Sequence, residues 1–171
     1  DEAGIIYCLR RKDVDDVSHA LAAAKGPAAP RRKVLGYHAG MTPDQRKRVQ
    51  DAFIKEDCDV IVATVAFGMG IDRSNIRFVL HAGMPKSIEA YQQETGRAGR
   101  DGLEAECVLL YSGQDPVTWK RLVEMSAKEA ANAGAVIAAD FVASASKHID
   151  DMDRFARGAT CRHPPLVEYF A

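Results

Sequence analysis

The sequence has no long hydrophobic run and no strong net charge. No apolar stretch approaches the roughly 20 residues that a membrane-spanning helix needs, and no segment has the pattern of a secretory signal peptide. The formal net charge is −1 at pH 7, and the sequence pI is about 6.6. A protein that only coats nucleic acid is usually more basic, so any contact with nucleic acid must be local. We therefore expect no membrane partner.

Cysteine is scarce and unpatterned, which excludes a disulfide framework. The four cysteines are Cys8, Cys58, Cys107 and Cys161. The first three lie in or beside apolar runs, so we predict reduced, buried thiols in a cytosolic protein. What the sequence does have is the composition of a soluble globular chain, since 47% of its 171 residues are hydrophobic and 27% are charged. That length predicts one main domain with an appendage.

Short apolar runs alternate with helical patterns over the first two thirds of the chain. The apolar runs predict strands over residues 4–8, 33–37, 59–63, 77–81 and 105–111. The patterns between them predict helices over residues 12–25, 43–55 and 87–95. This alternation indicates the α/β class, with a parallel sheet sandwiched between helices. Ligands of such sheets bind beyond the carboxyl ends of the strands. We expect functional residues in the loops 9–12, 38–42, 64–75, 82–87 and 96–102.

Cap residues mark the helix ends. Thr42 is a predicted N-cap, with Pro43 at the first helical position and Gln45 placed to close a capping box. Ser87 can cap the third helix, and the Gly- and Pro-containing residues 26–30 end the first one.

The composition changes after residue 115. Residues 116–157 have no strand pattern and are rich in Ala, Lys, Glu and Met at helical spacing, with Gly134 and Gly158 as expected breaks. We therefore divide the chain into a sheet-bearing lobe, 1–115, and a helical segment, 116–171. Because the chain begins at Asp1 without Met and enters a strand pattern at once, we expect it to be a piece of a longer protein.

The segment 93–102 carries the strongest functional pattern, QETGRAGRDG. Arg97 and Arg100 lie three apart at the end of a predicted helix, so we expect them on one face. The small residues between them allow another surface to approach, and arginine binds phosphate oxygens as a fork. The alternative is a Gly-rich turn with surface salt bridges. The number of matching positions favours the phosphate interpretation.

The loop after the third predicted strand has the sequence ATVAFGMGID. Thr64, at the strand end, can present its hydroxyl and backbone N–H to a phosphate. The glycines, Gly70 among them, allow unusual backbone angles, and Asp72 can accept a hydrogen bond from a sugar hydroxyl. In the alternative, the loop is tucked under the core. We expect Phe67 and Met69 to pack there in either case.

Three further residues are candidates for function. His38 lies between a strand and the capped helix, and Arg11 follows the first strand. Lys86 precedes a helix that starts at Ser87, where a cation opposes the helix dipole and so indicates an external anion. The alternatives are a structural histidine and solvated surface charges.

Together these motifs resemble the second RecA-like lobe of superfamily 2 helicases, and of the RecQ DNA helicases in particular. The strings that carry the resemblance are GIIYC (4–8), YHAGM (37–41), DVIVATVAFGMGIDR (59–73), RFVLHAGMPKSIEAYQQETGRAGRDG (77–102) and TCRHPPLVEYF (160–170). They occur in the family's order and span most of the chain. DEAD-box RNA helicases have shorter, different forms of the two most specific strings.

The resemblance implies an ATP site shared with an N-terminal RecA-like lobe of the same parent chain. Arg100 corresponds to the family's arginine finger, and Arg97 also serves the ATP interface. Asp72 and Gly70 correspond to contacts with the nucleotide. The implied activity is ATP-driven, 3′-to-5′ unwinding of DNA in repair and recombination.

The resemblance also implies contacts with single-stranded and duplex DNA. Thr64, Lys86, Arg11 and His38 correspond to positions near the DNA backbone. The implied location is the cytoplasm, or the nucleus in a eukaryote.

The helical segment 116–171 resembles the start of the family's zinc-binding module. Cys161 corresponds to its first zinc ligand, and His163 is a conceivable second donor. A structural zinc site needs four ligands, so none can close within this sequence, and zinc is expected only in the complete parent protein.

The sequence contains neither the phosphate-binding pattern G-x-x-x-x-G-K-[ST] nor a DEAH-like acidic box. We therefore expect this chain alone to lack the phosphate cradle and the Mg²⁺ ligands that hydrolysis of ATP needs. Two alternatives stay open: a lobe of an RNA helicase, and a helicase-like binding module without ATP hydrolysis.

Overall fold

The computed structural model of this chain describes residues 2–24, 32–68, 71–136 and 140–171. The described strands are β1 (Ala3–Tyr7), β2 (Val34–Tyr37), β3 (Val60–Ala63), β4 (Ile76–His81) and β5 (Glu106–Leu109). The described helices are α1 (Arg11–Ala23), α2 (Pro43–Ile54), α3 (Ile88–Thr95), α4 (Asp115–Asn132), α5 (Phe141–Arg157) and α6 (His163–Phe170). The predicted α/β alternation is confirmed. No helix among the described residues is long and apolar enough to cross a membrane.

The five strands form one parallel sheet in the order β2-β3-β1-β4-β5. The central strand, β1, is buried along its whole length, as expected for a strand with neighbours on both sides and helices on both faces. Its last residue, Tyr7, lies in register with Ala63 of β3 and His81 of β4. The carboxyl ends of these three strands therefore form one continuous edge.

Alternate residues of the central strands enter separate cores. Ile5 packs in one cluster with Phe53 of α2, whereas Ile6 packs in another with Val14 of α1. Because successive side chains of a strand point to opposite faces, α1 and α2 cover opposite faces of the sheet. This is the predicted sandwich.

The predicted capping box at the start of α2 is confirmed. The backbone N–H of Gln45 donates to Oγ1 of Thr42 over 3.2 Å, and the backbone N–H of Thr42 donates to Oε1 of Gln45 over 2.9 Å. Pro43 is the first residue of the helix. The predicted turn at 26–30 lies outside the described residues.

The chain divides into two compact units. We call Asp1–Gly83 with Gln93–Leu110 the sheet unit, and Met84–Gln92 with Tyr111–Ala171 the helical unit. The helical unit includes residues before 115 because Trp119 donates its indole N–H to the carbonyl of Met84 over 2.6 Å. The predicted helix breaks are confirmed: α4 ends before Gly134, whose φ is +81°, and α5 ends at Gly158. The predicted division of the chain into domains between residues 115 and 116 stays a prediction.

Candidate functional site

Arg11 and His38 lie close together beyond the carboxyl ends of β1 and β2. Nδ1 of His38 accepts a hydrogen bond of 3.1 Å from the backbone N–H of Gly40, and Nε2 lies 3.3 Å from Oδ1 of Asp15. A Cβ on Gly40 would lie 3.3 Å from Nη1 of Arg11, so the guanidinium borders this turn. Both ring nitrogens of His38 thus have described partners, Gly40 in the turn and Asp15 in α1, while the side chain of Arg11 is exposed.

Thr64 follows β3 at the same edge. Its backbone N–H donates to the carbonyl of Tyr37 over 3.2 Å, and its own carbonyl accepts from Phe67 over 3.0 Å. These bonds fix the backbone, while the hydroxyl of Thr64 has no intramolecular partner among the described residues. The predicted packing of Phe67 is confirmed, since its side chain is 1% exposed. Met69 and Gly70, also singled out by the sequence, lie outside the described residues.

The structure brings Asp72 and Arg100 together. Nη1 of Arg100 lies 3.7 Å from Oδ1 of Asp72, and the two side chains are 41% and 95% exposed. Nε of Arg100 donates to the carbonyl of Gly96 over 3.1 Å, which orients the guanidinium. The pair is exposed and lies beyond hydrogen-bond distance, so it costs little to separate. The two residues predicted to contact nucleotide therefore share one accessible position.

The loop 96–102 was expected at the carboxyl edge of the sheet, but its residues from Gly99 onward lie at the amino end of β4. The backbone N–H of Gly99 donates to the carbonyl of Ile76, the first residue of β4, over 2.9 Å. Arg77 also binds both carboxylate oxygens of Asp101 at 2.6 Å. The reason is topological, because the chain must return to the amino end of the sheet before the parallel strand β5 begins. Arg100 accordingly lies near the amino end of β4.

Two local features hold this return in place. Gly99 has a φ of +64°, in the left-handed region that favours glycine. The hydrogen bond from Arg77 lowers the pKa of Asp101 below its usual value, so the carboxylate stays charged. Neither the Arg77–Asp101 pair nor its function is evident from the motif alone.

Arg97 and Arg100 do not share an exposed face, contrary to the expectation from their spacing. α3 ends at Thr95, so helical geometry does not extend to the pair. Arg97 is buried, at 8% exposure, and a Cβ on Gly68 would lie only 2.5 Å from its Nη2. Its Nε has no hydrogen-bond partner among the described residues.

A buried polar cluster around Arg97 was missed by the sequence analysis. Nε2 of His81 lies 2.8 Å from Oε2 of Glu94, and both side chains are buried. The ring of His81 stacks on Tyr7, with centroids 5.4 Å apart. The hydroxyl of Tyr7 donates to the carbonyl of Phe67 over 3.2 Å. A polar residue directly after an apolar run, as His81 is after residues 78–80, is the signal that could have revealed this cluster.

Charge and burial act in opposite directions on Tyr7. Burial raises its pKa, the larger effect, and the charge and hydrogen bonding of the Arg97 guanidinium lower it. The pKa ends well above the usual value for tyrosine, so the hydroxyl keeps its proton and remains a donor.

Arg73 was also missed, and it is a structural anchor. It is 8% exposed, and its Nη1 donates to the carbonyls of Phe53 and Cys58 over 2.9 and 2.8 Å. Its guanidinium also lies 4.6 Å from the centre of the Phe53 ring. Arg73 therefore fixes the end of the loop that carries Asp72.

Lys86 belongs to the helical unit and is exposed. It forms no ion pair with any described residue. The predicted cap after it is confirmed, because the backbone N–H of Ala90 donates to Oγ of Ser87 over 3.2 Å. Lys86 borders a cavity of about 390 Å³ within this unit, lined mainly by apolar side chains such as Trp119 and Ile149.

The cysteines match the prediction only in part. Cys8 and Cys58 are buried, and burial raises the pKa of each thiol to about 11. Cys107 and Cys161 are exposed. The prediction for Cys107 is wrong because β5 is one of the two edge strands of the sheet, where its first residues are exposed.

The described residues do not fit a zinc ion. They contain no group of three or more His, Cys, Asp or Glu side chains that could hold a metal. Cys161 and His163 are both exposed, and two donors do not make a structural zinc site.

The fold and the paired arginine motif define a RecA-like helicase lobe, and comparison with known proteins agrees. The family described as "Helicase conserved C-terminal domain" matches residues 1–102, more than half of the chain. The chain belongs to this family.

Within it, the resemblance to RecQ DNA helicases is confirmed. The chain is 50% identical to the ATP-dependent DNA helicase RecQ of Bacillus subtilis (strain 168) over 128 residues, which cover 75% of this chain and 21% of that protein. It is 40% identical to the RecQ of Pasteurella multocida (strain Pm70) over 99% of this chain and 24% of that protein. The RecQ-like DNA helicase BLM of Xenopus laevis is 48% identical over 73% of this chain and 9% of that protein. The chain thus spans a quarter or less of the length of these relatives.

Solved structures show the same fold. Domain 2 of the DEAD-box helicase Mss116p, bound to an RNA duplex, matches 74% of this chain and 48% of that chain with a TM-score of 0.58 and 24% identity. A DEAD box protein from Methanococcus jannaschii matches 75% of this chain and 33% of that chain with a TM-score of 0.57 and 21% identity. At these identities the likeness establishes the RecA-like fold alone.

Proposed function

We propose that this chain is the second RecA-like lobe of an ATP-dependent DNA helicase that works in the cytoplasm, or in the nucleus of a eukaryote. In the complete parent protein, the N-terminal lobe binds the phosphates of ATP together with Mg²⁺, and this lobe completes the site. ATP supplies the free energy of phosphate-bond hydrolysis when it is bound. Everything that this chain contributes is binding, orientation and charge.

The observation that carries the proposal is the Asp72–Arg100 pair. Two separate motifs, the loop after β3 and the segment after α3, deliver a carboxylate and a guanidinium within 3.7 Å of each other on an exposed surface. A carboxylate suits the hydroxyls of a ribose, and a guanidinium suits the oxygens of a phosphate. Because the pair is weak and accessible, a bound nucleotide can replace it on both sides.

Arg97 fits a supporting role at the same site. Its Nε is buried without a partner among the described residues, and an unpaired buried donor is costly. A phosphate oxygen close to this N–H would remove that cost. Arg100 is the exposed charge and Arg97 the buried one, so we assign the finger to Arg100.

The DNA backbone contacts are proposed for Arg11, Thr64 and Lys86. Arg11 offers an exposed guanidinium, Thr64 an unbonded hydroxyl, and Lys86 an ammonium without an ion pair among the described residues. His38 supports the turn beside Arg11 rather than contacting DNA directly, since Gly40 and Asp15 occupy its ring nitrogens. We favour DNA over RNA because the relatives at 40–50% identity are DNA helicases by name.

The test is ATP hydrolysis by the complete parent protein, with and without single-stranded DNA. Replacing Arg100 with Ala should lower DNA-stimulated kcat by about a thousandfold, because a supplied arginine is worth roughly 10³–10⁵ in related phosphoryl transfer. The KM for ATP should change far less. Arg48→Ala, which removes an exposed arginine of α2 outside both candidate sites, is the matched control. Unchanged turnover in Arg100→Ala would reduce this lobe to a helicase-shaped binding module.

The DNA contact at Lys86 has its own measurement. Lys86→Ala in the complete protein should weaken single-strand binding and reduce the slope of log affinity against log salt by about one unit. Lys128→Ala, at an exposed lysine of α4, should leave the slope unchanged. Equal slopes for native protein and Lys86→Ala would argue against a phosphate contact there.

A further inference from the structure

The hydroxyl of Tyr7 lies where three segments of the sheet unit meet. Tyr7 ends β1, is 3% exposed, and donates a hydrogen bond of 3.2 Å to the carbonyl of Phe67 in the loop after β3. From the segment after α3, the Arg97 guanidinium lies against Gly68 of the same loop, and its charge and hydrogen bonding lower the pKa of the Tyr7 hydroxyl. One side chain of the central strand therefore joins the loop that begins at Thr64 to the segment that carries Arg100.

The approach of Arg97 depends on a missing side chain. A Cβ on Gly68 would lie 2.5 Å from Nη2 and 3.0 Å from Cζ of Arg97, closer than two such atoms can pack. Gly68 does not have a positive φ, so its backbone angles do not require glycine. The position requires glycine because the guanidinium fills the space in which a side chain would lie.

A carboxylate also lies in the same buried region. Glu94, 6% exposed, pairs with His81 at 2.8 Å, and its charge raises the pKa of Tyr7. A buried guanidinium needs compensating partners, and the described neighbours of Arg97 are Gly68 and the Tyr7 hydroxyl.

Backbone bonds extend this arrangement to both candidate sites. Phe67 donates its N–H to the carbonyl of Thr64 over 3.0 Å, which links the Tyr7 hydroxyl to the proposed DNA contact. On the other side, Nε of Arg100 donates to the carbonyl of Gly96, next to Arg97. The described contacts thus run from Thr64 through Tyr7 and Arg97 to Arg100.

We propose that Tyr7 is a positioning residue that couples DNA bound at Thr64 to the placement of Arg100. The inference rests on the proposed function and deepens it. Tyr7 touches neither ligand; its hydroxyl transmits a shift of the loop after β3 to Arg97, and thereby to the turn that orients Arg100. Without the hydroxyl, both sites remain but respond less to each other.

The experiment removes that single oxygen atom. In the complete parent protein, Tyr7→Phe should lower the kcat reached with saturating single-stranded DNA by about tenfold, since small misplacements at a reacting centre cost that much or more. The KM for ATP and the DNA concentration for half-maximal stimulation should stay within about twofold of native, because neither ligand contacts Tyr7. Loss of coupling between the two sites, rather than their proximity, is what this measurement detects.

The matched control is Tyr37→Phe. Tyr37 ends β2, is 4% exposed, and packs its ring on Phe67 with centroids 4.9 Å apart, but its hydroxyl accepts a 3.2 Å hydrogen bond from Gln50 of α2 and bonds to no residue of the loop after β3 among the described residues. Tyr37→Phe should change DNA stimulation by less than about twofold. Its loss of thermal stability should be similar to that of Tyr7→Phe, because each variant removes one buried hydrogen bond. If both variants lower kcat alike, or if Tyr7→Phe raises KM and the half-maximal DNA concentration along with lowering kcat, the coupling role is overturned.

A second variant tests the same step without touching Tyr7. Gly68→Ala should displace the Arg97 guanidinium and reproduce the loss of DNA stimulation, whereas Gly113→Ala, in open space, should not. The double variant Tyr7→Phe/Gly68→Ala should lose no more than the worse single variant, because both act on one contact. Additive losses would overturn the coupling. If native protein is stimulated by DNA and Arg100→Ala is inactive, the proposed function stands whatever the Tyr7 result.

Discussion

The two units of this chain differ in where they keep their charges. Every buried polar or charged side chain among the described residues lies in the sheet unit, including Arg73, Glu94 and Arg97. In the helical unit, the charged side chains pair at the surface, as in the 2.7 Å contact between Lys120 and Asp150. A buried charge costs several kcal/mol unless it is fully compensated, whereas an exposed pair contributes about 0–1 kcal/mol.

The difference shows what each unit is built to hold. In the sheet unit, buried charged side chains anchor segments outside the strands. Arg73 donates to the carbonyls of Phe53 and Cys58, and Arg97 lies against Gly68. Arg73 and Gly68 both belong to the loop after β3, which carries Thr64 and Asp72. In the helical unit, the buried residues are apolar and hold helices against each other. Buried charge therefore accompanies the loops that must stay in one position.

The largest expected effect on the free energy of unfolding comes from the apolar core that each unit has of its own. Phe53 and Met152 are both 0% exposed. Phe53→Ala should lower the free energy of unfolding by about 3–5 kcal/mol and Met152→Ala by about 2–5 kcal/mol, because each leaves a cavity. Urea unfolding followed by far-UV circular dichroism measures both. The control for Phe53→Ala is Ile54→Ala, at the next residue of α2, which is 44% exposed. The control for Met152→Ala is Met125→Ala, at a methionine of α4 that is 46% exposed. A cost for Met152→Ala no larger than its control would mean that the helical unit lacks a true core.

The sequence was sufficient for the frame of the sheet unit and insufficient for its buried charges. Strand β3 is apolar throughout and the Thr42 cap depends on Gln45 three residues away, so local patterns predict both. Arg73 bonds to residues 15 and 20 positions earlier in the chain, and His81 to Glu94 across 13 positions. Such pairs are set by the packing of distant segments, which no local pattern encodes.

The same limit explains the outcome at the candidate site. The motif predicted that Arg100 and Asp72 serve one ligand, and the structure brings them together. It could not predict that Arg97 turns inward, because that orientation depends on the space above Gly68 and on the Tyr7 hydroxyl. Nor could it show that the chain returns along β4 before β5 begins.

A smaller effect separates the two units directly. Arg73→Met removes the donor from two buried carbonyls and should lower the free energy of unfolding by about 2–4 kcal/mol. Arg157→Met in the helical unit removes a 3.1 Å pair with Asp153 from a side chain that is 60% exposed, and should lower the free energy of unfolding clearly less, because water screens an exposed pair. Urea unfolding measures both losses: if the dependence of the unfolding free energy on urea concentration is the same for both variants, the shifts of their midpoints can be compared directly. Equal losses would show that burial of charge is not what distinguishes the units.

The smallest effect lies at the helix ends. Thr42 caps α2 with two reciprocal bonds, whereas Asp140, at the N-cap of α5, makes no side-chain cap bond and has helical backbone angles. Thr42→Ala should therefore lower the free energy of unfolding by about 1 kcal/mol, because the backbone N–H of Gln45 loses its acceptor, Oγ1 of Thr42. Asp140→Ala should cost a few tenths of a kcal/mol, since no cap bond is lost. Thr42→Ser, which keeps the hydroxyl, should recover most of the loss in the sheet unit. A cost for Asp140→Ala as large as that for Thr42→Ala would show that the helix ends of the helical unit are held as firmly as those of the sheet unit, by the charge of Asp140 on the helix dipole rather than by a cap bond.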